Sequence, residues 1–319
     1  MAAGAASGKA TGGGATGRGR PTSGATNNSE TQAQTNGGQT MARGSGRAPV
    51  IPGFGLTGGI TLTAVSLVVI IPLAAIVLTG AQMGPEKFVE VITRPRTLSS
   101  FYVSFVTALV ASAVNAVFGL LLAWVLVRYR FPGRQVLDGM VELPFALPTA
   151  VAGIALTSLT TDEGWVGSLF AAHGIHLAYT RVGITIALVF VGIPFVVRAV
   201  QPVLEKLDPA VEEAADVMGA SRARAFRSVI LPELMPALLA GFGLALSRCL
   251  GEYGSVVFIA GNMPFQTEIA PLVIMSELQQ FDYASASAVA IVMLAAAFVI
   301  LFAMGLVQAH NTRILRGGE

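Results

Sequence analysis

Three long stretches of this sequence contain no charged side chain. No Asp, Glu, Lys or Arg lies between Arg47 and Glu86, between Arg96 and Arg128, or between Asp282 and Arg313. Each stretch is longer than the roughly 20 apolar residues an α-helix needs to cross a bilayer. Composition agrees: 53% of the 319 residues are hydrophobic and only 12% are charged, about half the charged share of an ordinary soluble domain. An ordinary soluble enzyme is excluded. The expected fold class is all-α, a polytopic membrane protein.

Counting the apolar runs gives six spans, at about 57 to 80, 101 to 127, 137 to 160, 182 to 203, 236 to 260 and 284 to 307. The runs are continuous, unlike the alternating ten-residue segments of an outer-membrane strand, so they read as helices and not as a barrel. The fourth has the shortest uncharged run, Val182 to Val197, and Arg181 and Arg198 can snorkel at its ends.

Residues 1–56 read differently. The first 50 hold 12 of the 36 glycines and no aromatic residue, too little apolar surface to offset the entropy of ordering. A disordered tail is expected there, with Met41 as an alternative start of translation, and the membrane domain is expected over 57–319.

Basic residues orient membrane helices, because Lys and Arg accumulate on the cytoplasmic side. With both termini inside, the inner segments hold fifteen: Lys9, Arg18, Arg20, Arg43, Arg47, Arg128, Arg130, Arg134, Arg198, Lys206, Arg222, Arg224, Arg227, Arg313 and Arg316. The outer loops hold four, Lys87, Arg94, Arg96 and Arg181. Both ends are therefore expected on the cytoplasmic side. The final outer loop carries only acidic charge, Glu268, Glu277 and Asp282, and is expected to repel a free anion.

The chemistry that remains is sparse. Cys249 is the only cysteine and the histidines are His173, His176 and His310, so no metal site is expected, and His173 and His176 read as surface loop residues. The net charge of +2 argues for no nucleic-acid partner. No HExxH, GxSxG or phosphate-binding GxxxxGK[ST] pattern occurs, which leaves the chain non-enzymatic and without a bound cofactor.

Two features inside the spans stand out. Glu142-Leu-Pro-Phe-Ala-Leu-Pro-Thr149 carries two prolines four residues apart, the strongest candidate for irregular backbone. It reads either as part of a pathway or as a kink that serves packing. Arg248 and Glu252 lie four apart on one helical face of the fifth span, where ionisable groups are expensive and by default functional. They suit an anion pathway, because Arg presents a planar fork of donors; a neutralised structural pair facing a neighbouring subunit is the other reading. Gly251, Gly254, Pro148 and Thr149 join them as pathway candidates, as places where backbone N–H groups at broken-helix ends can meet an anion.

The long polar connection from Arg198 to Pro236 carries the functional signal. Asp208-Pro209 is a helix start and Gly219 a stop, with Ala210 to Met218 between them, and a second short helix is expected from Ser221 until Leu231-Pro232 ends it. Glu213-Ala214-Ala215, then Gly219, then Val229-Ile-Leu231-Pro232 resembles the EAA loop of bacterial ATP-binding-cassette importer permeases, with Val229 where that family usually has Ile. Further stretches, Leu121 to Arg134, Leu143 to Gly153, Ile193 to Arg198 and Gly251 to Asn262, resemble the T-type permease subunits of sulfate/thiosulfate importers, and the likeness covers about residues 97 to 310.

The resemblance implies the six-helix type I importer permease fold, with Glu213, Ala214, Ala215, Gly219, Val229, Leu231 and Pro232 in the loop that couples to the ATPase. It implies alternating access in a complex with a homologous W-type permease, two ATP-binding subunits that hydrolyse ATP with Mg, and an extracytoplasmic sulfate-binding protein, all in membrane lipid. Permeases for molybdate or tungstate share the loop and remain an alternative, and an ion-coupled secondary transporter is a more distant one.

Overall fold

The computed structural model describes the backbone of residues 54–316, with side chains from 57 to 308 except at 209, 211, 212 and 216. The expectations for residues 1–56 lie outside the described residues, apart from three at the start of the first helix. The membrane bundle is the unit Thr57–Glu319. Every regular element among the described residues is helical: α1 Phe54–Ala81, α2 Pro85–Thr93, α3 Pro95–Arg128, α4 Arg134–Ala146, α5 Thr149–Thr160, α6 Gly167–Ala171, α7 Arg181–Lys206, α8 Pro209–Val217, α9 Arg222–Ala225, a π turn Phe226–Ile230, α10 Leu231–Leu250, α11 Val256–Ile259, α12 Ala270–Gln279 and α13 Tyr283–Arg316.

Five helical runs are long and apolar enough to cross a bilayer, one of them α9 to α10 taken together, and α4 with α5, bent by 115° between them, gives a sixth if the pair counts as one span. The bend falls at Leu147-Pro148, inside the two-proline segment. Pro144 also lies in the interior of α4, and Pro148 has no N–H to continue the ladder.

The centre of the bundle is α3, α7 and α10. Apolar side chains gain little from leaving lipid for protein, so close backbone approach must supply the attraction. Val196 of α7 shows how: a Cβ on Gly119 of α3, or on Gly241 of α10, would lie 2.8 Å from it. Those two glycines let both neighbours close on the same point of α7. By contrast, α1 is exposed along nearly all of its described length. Near its end Gly80 approaches α13, where a Cβ would lie 2.6 Å from Ile291 Cδ1.

Two expectations need correction. The fifth span does not run to 260: α10 stops at Leu250, the chain turns through 251–255, and α11 follows as a separate short helix. The apolar run continues there, but the Glu252 carboxylate accepts from the Ser255 N–H and hydroxyl, both at 3.0 Å, and takes that backbone donor away from a helix. Nor does Leu231-Pro232 end the second short helix. The helical path is unbroken from Arg222 to Leu250, because the π turn precedes Pro232 and the Leu231 N–H donates to the Phe226 carbonyl. The wider turn sits where proline must remove a donor from the ladder in any case.

Asp282 starts α13 by accepting from the Ser285 N–H at 2.9 Å and from its hydroxyl at 2.7 Å. These bonds favour the ionised carboxyl and lower its pKa. A lowered folded pKa gives stability that is present above the ordinary carboxylate range, ~3.9 for Asp, and lost as pH falls through the lowered value. Asp282→Ala should therefore cost about 1 kcal/mol at neutral pH, the usual worth of such a cap. Thermal unfolding of the solubilised protein should show the difference shrinking on acidification; a difference independent of pH would remove the carboxylate from the account.

Candidate coupling loop and broken-span site

The loop between α7 and α10 folds as its local chemistry dictates. Asp208 accepts from the Ala210 N–H at 2.9 Å, and Pro209 follows as the first helical residue. At the other end Gly219 adopts φ +75°, and the Ala220 N–H returns to the Ala215 carbonyl at 3.0 Å. That is the six-to-one closure of a left-handed helix stop, which glycine makes without strain. Ala215 is buried, while Glu213 and Ala214 are exposed. The last turn presents bare apolar surface: Val217 is 88% and Met218 79% exposed, unusual for such side chains on a polar loop.

Ser221 caps α9, and the π turn is tied to α3 by Phe226, whose ring meets Trp124 edge-on at 5.3 Å. Arg128 lies over the other partner, 5.6 Å from the Trp124 ring centroid. Val229 and Leu231 are half-buried and Pro232 exposed, so this part of the motif forms the root of α10 and not a second free tip.

Inside the bundle Arg248 and Glu252 form an ion pair at 2.5 Å, with Glu252 only 1% exposed and the Arg248 side chain 35% exposed. Neighbouring Cys249 donates to the carbonyl of Leu188, in the first third of α7, at 3.4 Å. The structure brings Gly254 against Thr149: a Cβ on Gly254 would collide with the Thr149 hydroxyl, and one on Gly153 would lie 2.8 Å from Ser255 Cα. The first turns of α5, just after the break at 147–148, therefore pack on the turn 251–255. Pro148 caps the start of α5 and is exposed. Gly251 is not part of this contact; it lines a separate apolar groove of about 360 Å³ with Leu73, Ile76, Pro271 and Met293.

Sequence reasoning missed the ion pairs between distant segments. Arg96 of α3 grips Glu268 with two bonds, at 2.8 and 2.5 Å, across 172 residues, and Glu268 is 1% exposed. Arg198 of α7 meets Asp138 and Glu142 of α4, each at 2.8 Å. The only sequence signal was a lone charge at the edge of an apolar run with no local partner. Of the three acids before α13, Glu268 is buried against Arg96 and Asp282 accepts at the α13 cap. His173 and His176 are exposed, and His176 Nδ1 lies 2.9 Å from Asp162.

Comparison with known proteins agrees with this geometry. Residues 115–316 match the family described as "Binding-protein-dependent transport system inner membrane component". The sulfate transport system permease protein CysT of Salmonella typhimurium is 49% identical over 268 residues, 84% of this chain and 97% of that protein. The protein of the same name from Escherichia coli is 50% identical with the same coverage. In fold, the chain is similar to a subunit of the crystal structure of a bacterial alginate ABC transporter in complex with alginate pentasaccharide-bound periplasmic protein, with TM-score 0.65, 18% identity, and coverage of 82% of this chain and 95% of that one. The matched region holds α7, the coupling loop and both breaks, and this multi-pass chain belongs to the family of binding-protein-dependent transport system inner membrane components.

Proposed function

We propose that this chain is one of the two pore subunits of an ATP-driven importer for sulfate and thiosulfate. The observation that carries the reading is near-half identity to CysT sulfate permeases over almost their whole length, together with an exposed, glycine-stopped helix in the loop where the membrane chain must receive its drive. The chain is a non-catalytic pore component, and a separate subunit hydrolyses ATP with Mg. Its partners are a W-type permease that completes the pathway, two ATP-binding subunits, and a binding protein that delivers substrate from outside.

Both termini face the cytoplasm. Besides the count of basic residues, the pairing of the outer ones supports this: Arg96 is neutralised by Glu268, Arg94 meets Glu90 at 3.4 Å, and Arg181 donates to the Gln266 carbonyl at 2.7 Å. Such charges weigh less as topological signals than free ones.

The α8 tip, with Glu213, Ala214, Val217 and Met218 exposed and Gly219 ending the helix, docks on the ATP-binding subunit. Closure of the two ATPases pushes α8, which is joined directly to α7 on one side and through α9 and the π turn to α10 on the other. Rotation of these helices exposes the pathway alternately to the two sides. Arg248, paired with Glu252 just before the break after α10, is the anion's contact: a guanidinium partly open to the surface, held in place by a buried carboxylate; Gly254, Pro148 and Thr149 at the two breaks join it as pathway residues.

The test is uptake of labelled sulfate by the purified complex in proteoliposomes. Uptake should require internal ATP, persist with ionophores, and be competed by thiosulfate more than by molybdate. Uptake abolished by ionophore and indifferent to ATP would make this an ion-coupled carrier, and preference for molybdate would move it to that branch of importers.

A further inference from the structure

One face of α4 carries Asp138, Val141, Glu142 and Phe145, spaced i, i+3, i+4, i+7 as a helix requires for residues that meet the same neighbour. That neighbour is α7. Arg198 Nη1 donates to Asp138 Oδ1 at 2.8 Å, and Nη2 donates to Glu142 Oε1 at 2.8 Å and to the Asp138 carbonyl at 3.2 Å. Three residues earlier on α7, Phe195 meets Phe145 edge-on with ring centroids 5.2 Å apart. The seam is narrow, since Glu142 and Phe145 are themselves 60% and 57% exposed, and the opposite side of α4 is open as well, with Val136 68% and Met140 55% exposed. Within this chain α4 thus hangs chiefly on α7 along one seam, with a single arginine bridging two carboxylates.

The position of the seam gives it mechanical meaning. α7 runs directly into α8 through Leu207 and Asp208. α4 bends by 115° into α5, and α5 abuts the turn that holds Glu252, the partner of Arg248. A displacement of α8 carries α7 with it; α5 and α10 touch α7 directly, whereas α4 follows α7 chiefly through this seam. The geometry points to Arg198 as a positioning residue that makes α4, the first limb of the bent pair α4–α5, move with the coupling loop. The inference rests on the reading of α8 as the ATPase-docking element.

Arginine suits this task because its fork reaches two acids from one side chain, which the single ammonium of lysine does not do in the same geometry. Without it, Asp138 and Glu142 repel each other at i, i+4 on α4. A purely structural role would consist of cancelling that repulsion, and neutralising all three side chains would then restore function. A positioning role needs the link itself.

The experiment compares wild type, R198K, R198Q and the triple variant D138N/E142Q/R198Q in proteoliposomes with all partner subunits, measuring sulfate transported per ATP hydrolysed. The triple variant strands no charge, so it keeps the measurement possible should R198Q fold poorly. The expected result is that both R198Q and the triple variant keep ATP hydrolysis stimulated by the binding protein while the transport-to-hydrolysis ratio falls at least about fivefold, with R198K in between. A wild-type ratio in the triple variant would overturn the inference. G219D separates this from the docking reading: normal uptake by G219D would sink the role of α8 itself, whereas a failed G219D with a normal triple variant would sink only the role of Arg198.

Discussion

Replacing Gly219 with aspartate should all but abolish sulfate uptake while leaving the membrane bundle folded. The two halves of that expectation have separate physical grounds. Gly219 has φ +75° and no neighbour within 4 Å of where a Cβ would stand, so the new side chain meets nothing, and aspartate is among the few residues that tolerate a left-handed backbone. The bundle should lose no more than about 1 kcal/mol. At the docking surface the result is different. The carboxylate stands beside the exposed Val217 and Met218 and must enter an apolar contact without a partner, which costs several kcal/mol. At 1.4 kcal/mol per factor of ten, uptake should drop on the order of a hundredfold. Gly219→Ala, with the backbone strain but no charge, should retain much of the activity. Immunoblots of membranes separate folding from function, and co-purification of the ATP-binding subunit reads docking directly. Glu213→Lys, on the exposed part of the same helix, should act in the same direction. Normal uptake by both would remove α8 from the coupling path.

Glu252→Gln should be nearly as damaging, by another route. The carboxylate is almost fully buried, holds Arg248 at 2.5 Å and accepts twice from Ser255. Glutamine preserves shape and can still accept from Ser255, but it leaves the guanidinium charge without its counter-ion in the bundle. Breaking a fully buried pair costs about 3–5 kcal/mol; Arg248 is one third open to its surroundings, so the low end applies. Reduced assembly and a fall in uptake of at least tenfold are expected. The double variant R248Q/E252Q distinguishes the two readings of the pair. With no charge stranded, assembly should recover, and uptake should remain low if Arg248 meets the anion. Recovery of both would make the pair purely structural.

Features governed by local chemistry are legible in the amino-acid sequence. The cap at Asp208, the proline after it and the glycine at 219 specify α8 within a dozen residues, and the structure has each of them in that role. The bend at Leu147-Pro148 is legible for the same reason, since proline acts on its own turn. The end of α10 is not. Hydrophobicity continues past Leu250, and what stops the helix is a side-chain bond between Glu252 and Ser255, invisible to any count of apolar residues. Arg96 and Arg198 are visible as charges at span ends, but their partners lie 172 and 60 residues away. Pairing across such separations depends on which helices become neighbours, and small residues such as Gly119 and Gly241 decide that only once the bundle is assembled.

The π turn at Phe226–Ile230 has a consequence for how insertions and deletions are tolerated. Successive residues of an α-helix are rotated by about 100° around its axis, so one residue more or less in a continuous helix re-aims everything on one side of the change relative to the other. Here the helical path runs unbroken from Arg222 in the polar loop to Leu250 inside the bundle, and the wide turn adds a residue to one of its circuits. The compass bearing at which α9, and α8 before it, leave the root of α10 is therefore set by a single extra residue. Two chains of this kind that differ by one residue at this place would present their loops in different directions, even with every motif residue intact.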